Sequence, residues 1–288
     1  MKFSIIIATK DRAQRLDAAL TSLALQGTGP PAEIIVVDNG STDATRDVAA
    51  RRAVRYEYEP VPNRARARNR GVAAATGSHL LFVDDDVVVP AGFLAAHARV
   101  QTESIFPRAV CGPIINVANA SDRPTPGAAN YSAAFFCTCN VSLRKSTLEA
   151  VGGFDEQFDL YGWEDTELGL RLRNYDVGHT FAWDAYLWHI KPAEAETLAA
   201  ALLKTLEKAH MAARFVHKFP TTRAKLATGA YRANYLRAQA VAPQSRQALF
   251  AGLATSPRVP AALARFARGR LLDSVYVDEL RRELGTDR

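Results

Sequence analysis

Residues 79–86 read HLLFVDDD, five largely apolar positions running without a turn residue into three consecutive carboxylates. A short, nearly continuous apolar run of this kind is a strand covered on both faces. Two similar runs precede it, FSIIIA at 3–8 and EIIVV at 33–37. Between those two, Leu16, Ala19, Leu20 and Leu23 recur at spacings of three and four residues, the apolar stripe of an amphipathic helix. Gly27, Gly29, Pro30 and Pro31 are expected to close that helix. Ser41 is placed to cap a second helix running through Thr45 and Val48, and a third is expected from Arg64 to Ala75, stopped at Gly77. Alternating strands and helices predict an α/β fold, helices packed on both faces of a mainly parallel sheet. Such sheets take their ligands at the carboxyl ends of the strands.

Asp84, Asp85 and Asp86 stand at one such end. Three adjacent carboxylates repel one another, so a fold that gathers them supplies a cation, and oxygen donors suit Mg²⁺ or Mn²⁺. A solvated acidic turn is the plainer alternative. EIIVV likewise ends in Asp38, followed by Asn39-Gly40-Ser41-Thr42-Asp43. An aspartate there can accept hydrogen bonds from a nucleobase or ribose, although the same residue types also form ordinary turns. A third group is GWEDTEL at 162–168, followed by Gly169, Leu170, Arg171 and Leu172. Leu168 and Leu172 give this helix a buried face, which puts Glu164 and Asp165 in its first turn. The helix dipole there favours an ionised carboxylate, as a proton acceptor requires; acids also occur in first turns for stability alone.

Taken together and in this order, SIIIATKDR, VVDNGSTD, NRARARNRGVAAATGSHLLFVDDD, GGFDEQF and GWEDTELGLRLR resemble glycosyltransferase family 2, over roughly residues 3–190. The resemblance implies a GT-A fold and metal-dependent, inverting sugar transfer from a nucleotide diphosphate donor, UDP being the common carrier. It implies that Asp38 contacts the donor base with Thr9 and Arg12 nearby, and that Asp84, with Asp85 beside it, faces ribose and metal. It implies further that Asp86 and Asp84 hold Mn²⁺ or Mg²⁺ with His189 as an additional ligand, and that Arg68 and Asn69 border the nucleotide. Asp165, next to Glu164, takes the place of the base that deprotonates the acceptor. Trp163, Asn140 and Gly153 fall on the acceptor side, where Cys137-Thr138-Cys139 replaces the small residues common in relatives. Read alone, His189 beside aromatics is as consistent with a packed core residue, and Arg64, Arg66, Arg68 and Arg70 with decoration of a helix.

Three other functions compete with sugar transfer. A nucleotidyltransferase needs a Gly-rich, basic loop after its first strand, whereas ATKDRAQRL has no glycine there; the same absence argues against a dinucleotide-binding dehydrogenase. A non-catalytic sugar-nucleotide or glycan-binding subunit would not need the Glu164-Asp165 pair.

Length and composition bound the rest. A chain of 288 residues, 48% hydrophobic and 23% charged, makes a globular protein with a full core. Catalytic GT-A residues are expected at 1–192, and an all-helical extension at 193–288. Residues 1–190 hold 19 Lys and Arg against 22 Asp and Glu, while 191–288 hold 17 against 8, so the basic excess lies in the extension. Leu198, Leu202, Leu206 and Ala209 recur at helical spacing and call for burial. Arg258, Arg265, Arg268 and Arg270 near Leu263 and Phe266 form a basic, amphipathic stretch suited to a membrane surface, a lipid-linked or glycan acceptor, or a second copy of the chain. An ordinary solvated helix face is the alternative, and nucleic acid is not an expected partner. No apolar run approaches the roughly 18 residues of a membrane span, and the opening MKFSIIIATKDR reads as a first strand, not a signal peptide. Cys111, Cys137 and Cys139 lack zinc-ligand spacing and read as buried free thiols of a cytoplasmic protein, a Cys-Thr-Cys redox or metal pair being the sharper alternative.

Overall fold

A computed structural model describes residues 1–27, 29–191 and 196–286. The chain divides into two compact units, one of Met1–Asp159 with Glu164–Ala193, the other of Leu160–Trp163 with Glu194–Arg288. The boundary expected at 192/193 lies outside the described residues.

The first unit begins with β1 (Phe3–Thr9), α1 (Ala13–Ala24), β2 (Ala32–Asp38), α2 (Thr45–Arg51), β3 (Arg55–Tyr58), α3 (Arg64–Ala74) and β4 (His79–Val83). It continues with β5 (Val87–Val88), α4 (Phe93–Thr102), β6 (Arg108–Cys111), β7 (Ile114–Val117), β8 (Asn140–Arg144), α5 (Lys145–Ala150), α6 (Glu164–Asn174), β9 (Gly178–Phe181) and β10 (Leu187–Ile190). Seven strands form one sheet in the order β3-β2-β1-β4-β8-β6-β9, in which β8 runs antiparallel to both neighbours and every other pairing is parallel. The carboxyl ends of β1, β2, β4, β6 and β9 therefore share one edge. A second sheet, β5-β10-β7, is smaller.

Alternation along each strand splits the core in two. Ile6, Ile35, Val37, Leu80 and Phe82 pack on one face with Ala65, Ala67 and Val72 of α3 and with Leu168 and Leu172 of α6. Ile5, Ile7, Val36, Leu81 and Val83 pack on the other with Leu16, Leu20 and Leu23 of α1. The apolar runs are continuous because both faces are covered. Gly71 lets α3 approach closely: a Cβ there would stand 2.6 Å from the Ile6 side chain.

One local expectation fails. The Ser41 hydroxyl does not cap α2; it accepts from the Asp11 amide instead, and Asp43 receives the Thr45 amide at 3.0 Å.

The second unit is helical: α7 (Leu198–Lys218), α8 (Thr222–Thr228), α9 (Arg232–Val241), α10 (Gln247–Thr255) and α11 (Ala261–Glu283). Its core uses small residues, with Ala209, Ala212, Ala213, Val216 and Ala230 packed around Leu280. The burial expected of the α7 leucines is not met as drawn. Leu198 and Leu202 are half-buried and Leu206 is 39% exposed, because the face built on Ala201, Ala209, Ala212 and Val216 turns inward instead. The tetrapeptide 160–163 belongs to this unit: the Trp163 ring stacks on Phe215 at 5.7 Å and its Nε1 donates to the Lys208 carbonyl at 2.9 Å. Trp163 holds a left-handed φ of 73°, a conformation that costs a non-glycine residue about 1–3 kcal/mol and persists where packing compensates. Among the described residues, no helix is long and apolar enough to cross a membrane.

Candidate active site

Two groups of carboxylates lie at the carboxyl edge of the large sheet, one after β4 and one at the start of α6. In the first group the three aspartates have different partners. Asp85 is buried and accepts from the Thr9 hydroxyl at 2.7 Å and from Arg12 Nη1 at 2.9 Å. Burial raises its pKa despite Arg12 and Thr9. It ties the end of β4 to the end of β1. Asp86 meets His189 Nε2 at 3.0 Å, Arg12 at 3.2 Å and Arg15 at 3.8 Å. Burial alone would raise the Asp86 carboxyl, but the hydrogen bond to His189 and the charges of Arg12 and Arg15 outweigh it and hold it below the usual range. Asp84 stays half-buried, and its carboxylate, the Cys139 Sγ and a ring nitrogen of His189 all lie within 4.8 Å of one another.

Strand pairing brings these distant residues together. β10 pairs antiparallel with β5, setting His189 opposite Val87, and the Ile190 amide donates to the Asp86 carbonyl at 2.8 Å. β8 pairs antiparallel with β4, setting Asn140 opposite Val83, so that Cys139 lies beside Asp84. The donors gathered there are a carboxylate, an imidazole and a thiol, a set that fits a divalent cation.

In the second group, Asp165 Oδ2 accepts from both the amide and the hydroxyl of Thr138, at 2.8 and 2.9 Å. Its Oδ1 is covered and has no hydrogen-bond partner among the described residues, although the side chain as a whole keeps 24% of its surface exposed. Arg68 Nη1 donates to Glu164 Oε1 at 2.9 Å and stands 3.8 Å from Asp165 Oδ1. Burial works against the Arg68 charge, but Asp165, Glu164 and Asp84 more than offset it and the guanidinium stays protonated. Burial pushes the Asp165 carboxyl up to about 6, Arg68 opposing and Glu164 adding to the rise. A carboxyl titrating there can take a proton near neutral pH.

The remaining expected residues divide. Asp38 is buried at the end of β2 with both oxygens engaged, one by the Ser41 amide and one by the Tyr56 hydroxyl, each at 2.8 Å. Asn69 turns to the loop after α5, accepting from the Phe154 amide and donating to the Phe154 carbonyl, both at 2.9 Å. Gly153 lies in that loop at a φ of 70°, its carbonyl taken by Arg171, and a Cβ there would stand 2.9 Å from Asn69 Oδ1. Its role is to let the loop fold onto Asn69. Asn140, expected on the acceptor side, faces inward. It is wholly buried, with its oxygen 2.9 Å from His97 Nε2 and its nitrogen donating to the carbonyls of Pro113 and Ala185. It braces the core beneath the site. Trp163 is spent on Phe215 and Lys208 in the helical unit.

Sequence alone gave Arg15 no role, and it reached Thr138 and Cys139 only as part of the unusual Cys-Thr-Cys at 137–139.

Residues 4–127 match the family described as glycosyl transferase family 2, and residues 125–189 match the N-terminal domain of galactosyltransferase. A validoxylamine A glucosyltransferase of Streptomyces hygroscopicus subsp. limoneus is 30% identical over 262 residues, 76% of this chain and 57% of that one. The corresponding protein of S. hygroscopicus subsp. jinggangensis is also 30% identical and is covered over 61% of its length, so the chain spans roughly three-fifths of these relatives. Among solved structures, the mannosyltransferase PcManGT from Pyrobaculum calidifontis, in complex with GDP-Man and Mn²⁺, superposes with a TM-score of 0.65 at 18% identity. That match covers 99% of this chain and 87% of the other. S. aureus TarS residues 1–349 with UDP-GlcNAc gives 0.55 at 19% identity, covering 99% and 92%. At these identities the likeness is one of fold, the GT-A fold.

Proposed function

Because the chain belongs to glycosyltransferase family 2, we propose that it transfers a sugar, with inversion, from a nucleotide diphosphate donor to an acceptor hydroxyl. The observation that carries this is the Asp165 carboxyl, with Oδ2 pinned by Thr138 and Oδ1 left without a hydrogen bond among the described residues. Pinning one oxygen aims the other, and Oδ1 takes the proton from the acceptor oxygen as that oxygen attacks the anomeric carbon. Arg68 keeps Glu164 and Asp165 from repelling each other and holds the base helix in register with α3. One displacement with no covalent intermediate inverts the anomeric centre.

Asp84, Asp86 and His189 would hold the divalent ion, Mn²⁺ or Mg²⁺, which supplies electrostatic stabilisation of the diphosphate as charge develops on it. Arg12 and Arg15 add fixed positive charge beside Asp86, and Thr9 and Asp85 lock the loop after β1 against the end of β4. Asp38 is the proposed contact for the donor base, reached through lone pairs that Tyr56 and Ser41 leave open. The names of related proteins support a hexosyl donor carried on UDP or GDP; UDP is our choice.

The test is release of nucleotide diphosphate from a panel of UDP-, GDP- and dTDP-sugars with and without Mn²⁺. Metal-dependent release with one donor is expected, and no release with any would leave only a binder. For the helical unit we propose a peripheral contact with an anionic surface, supported by Leu263 and Phe266 standing exposed among Arg258 and Arg265. Co-sedimentation with anionic vesicles should fall as salt shortens the screening length from about 10 Å at 0.1 M. No binding at low salt would remove the membrane from the scheme.

A further inference from the structure

Cys139 is the residue of the first carboxylate group that family membership does not account for. It is 6% exposed, and the Asp84 carboxylate presses against its thiol. Its Sγ lies within 4.8 Å of ligand atoms of Asp84 and His189, which come from two other strands. Two ligands of one ion stand at most about 4.4 Å apart when the metal–sulfur and metal–nitrogen bonds are about 2.3 and 2.1 Å. The three donor atoms are therefore within a side-chain rotation of sharing one ion. Sulfur changes what such a site selects: thiolate favours soft or borderline cations, whereas Mg²⁺ requires hard oxygen donors in near-ideal octahedral geometry.

We propose that Cys139 is a ligand of the divalent ion held by Asp84 and His189, and that its sulfur biases this site toward Co²⁺ and Zn²⁺ over Mg²⁺. The proposal rests on Asp84 and His189 being metal ligands, as set out above. On binding, the Sγ–H bond breaks, the proton passes to solvent, and a sulfur–metal bond forms; nothing is oxidised or reduced. The cation's charge displaces the effect of Asp84, which in the metal-free site disfavours the thiolate.

Titration of the full chain with Co²⁺ alone tests this, because a cobalt-bound thiolate gives a sulfur-to-metal charge-transfer band in the near ultraviolet, separate from the visible ligand-field bands. The wild-type protein should show both. Cys139→Ser and Cys139→Ala should lose the charge-transfer band, keep the ligand-field bands, and bind Co²⁺ more weakly with Mg²⁺ affinity unchanged. Cys111→Ser and Cys137→Ser should retain the charge-transfer band. Circular dichroism of each variant confirms that it is folded. Ligand-field bands without charge transfer in the wild type, or a band that survives Cys139→Ala, would overturn the sulfur ligand and leave the metal site standing. Absence of all Co²⁺ binding would overturn both, and His189→Ala, which should weaken the ligand-field bands, distinguishes the two failures.

Discussion

The carboxylates after β4 and those at the start of α6 lie on the same edge of one sheet and are prepared for opposite tasks. After β4, each buried acid is met by positive charge: Asp85 by Arg12, and Asp86 by Arg12 and Arg15, with the His189 ring beside it. The Asp86 carboxyl is held ionised. At the start of α6 the Arg68 guanidinium serves two acids, and among the described residues Asp165 keeps a covered oxygen without a hydrogen bond. Its pKa rises to about 6. One group is held as an anion, the other is the proposed acid–base group, and the difference lies in how many cations the fold assigns to each.

The most severe way to break this contrast is Asp165→Asn, which keeps the shape and removes the proton acceptor. Transfer should fall by roughly two to four orders of magnitude while donor affinity, read by calorimetry, stays unchanged. Transfer at the wild-type rate would mean the base lies elsewhere. Asp86→Ala should act in the complementary way, weakening Mn²⁺-dependent binding of a nucleoside diphosphate by roughly ten- to hundredfold. Unchanged affinity in the folded variant would remove Asp86 from the metal site.

The pH dependence sharpens the contrast further. Only the deprotonated Asp165 can accept a proton, so kcat/KM should rise with pH through a midpoint near 6. The stability sign is the reverse: between about pH 4 and 6 the folded state binds the proton more tightly than the unfolded chain does, so this group's contribution declines as pH rises through that window. A flat profile across pH 5–7 would contradict the assignment. The smallest effect is expected from Thr138→Val, which removes one of the two hydrogen bonds that favour the charged form. The midpoint should move upward by under about one pH unit, and Thr138→Ser should restore it. A loss of activity with no movement of the midpoint would make Thr138 structural only.

What the sequence could disclose depended on the range of the interaction. The runs at 3–8, 33–37 and 79–83 were legible as buried strands because coverage on both faces leaves its mark in neighbouring residues. Asp84, Asp86, Glu164 and Asp165 were legible because the end of a strand and the first turn of a helix are local features. Contacts made by strand pairing left no such trace. Cys139 reaches Asp84 through β8 against β4, and Thr138 reaches Asp165 across 27 residues. Side chains with two equally short bonding options were also misjudged: Ser41 can cap α2 or receive the Asp11 amide, and only the fold of the loop after β1 decides. In α7, leucine spacing suggested the buried face, yet alanines form most of it, since close helix packing prefers the smaller side chain.

Residues 160–163 leave the sheet-containing unit, pack among the helices through Trp163, and return one residue before the helix that carries Glu164 and Asp165. The helical unit is thus not a tail that a stop codon can remove cleanly. Cutting the chain at residue 193 would strip Trp163 of Phe215 and Lys208, and with them the packing that compensates its left-handed backbone. That change would fall immediately beside the base. Anyone trimming this chain to a minimal catalytic fragment, or grafting its helices onto another enzyme, should expect the cut to register in turnover even where the sheet remains intact.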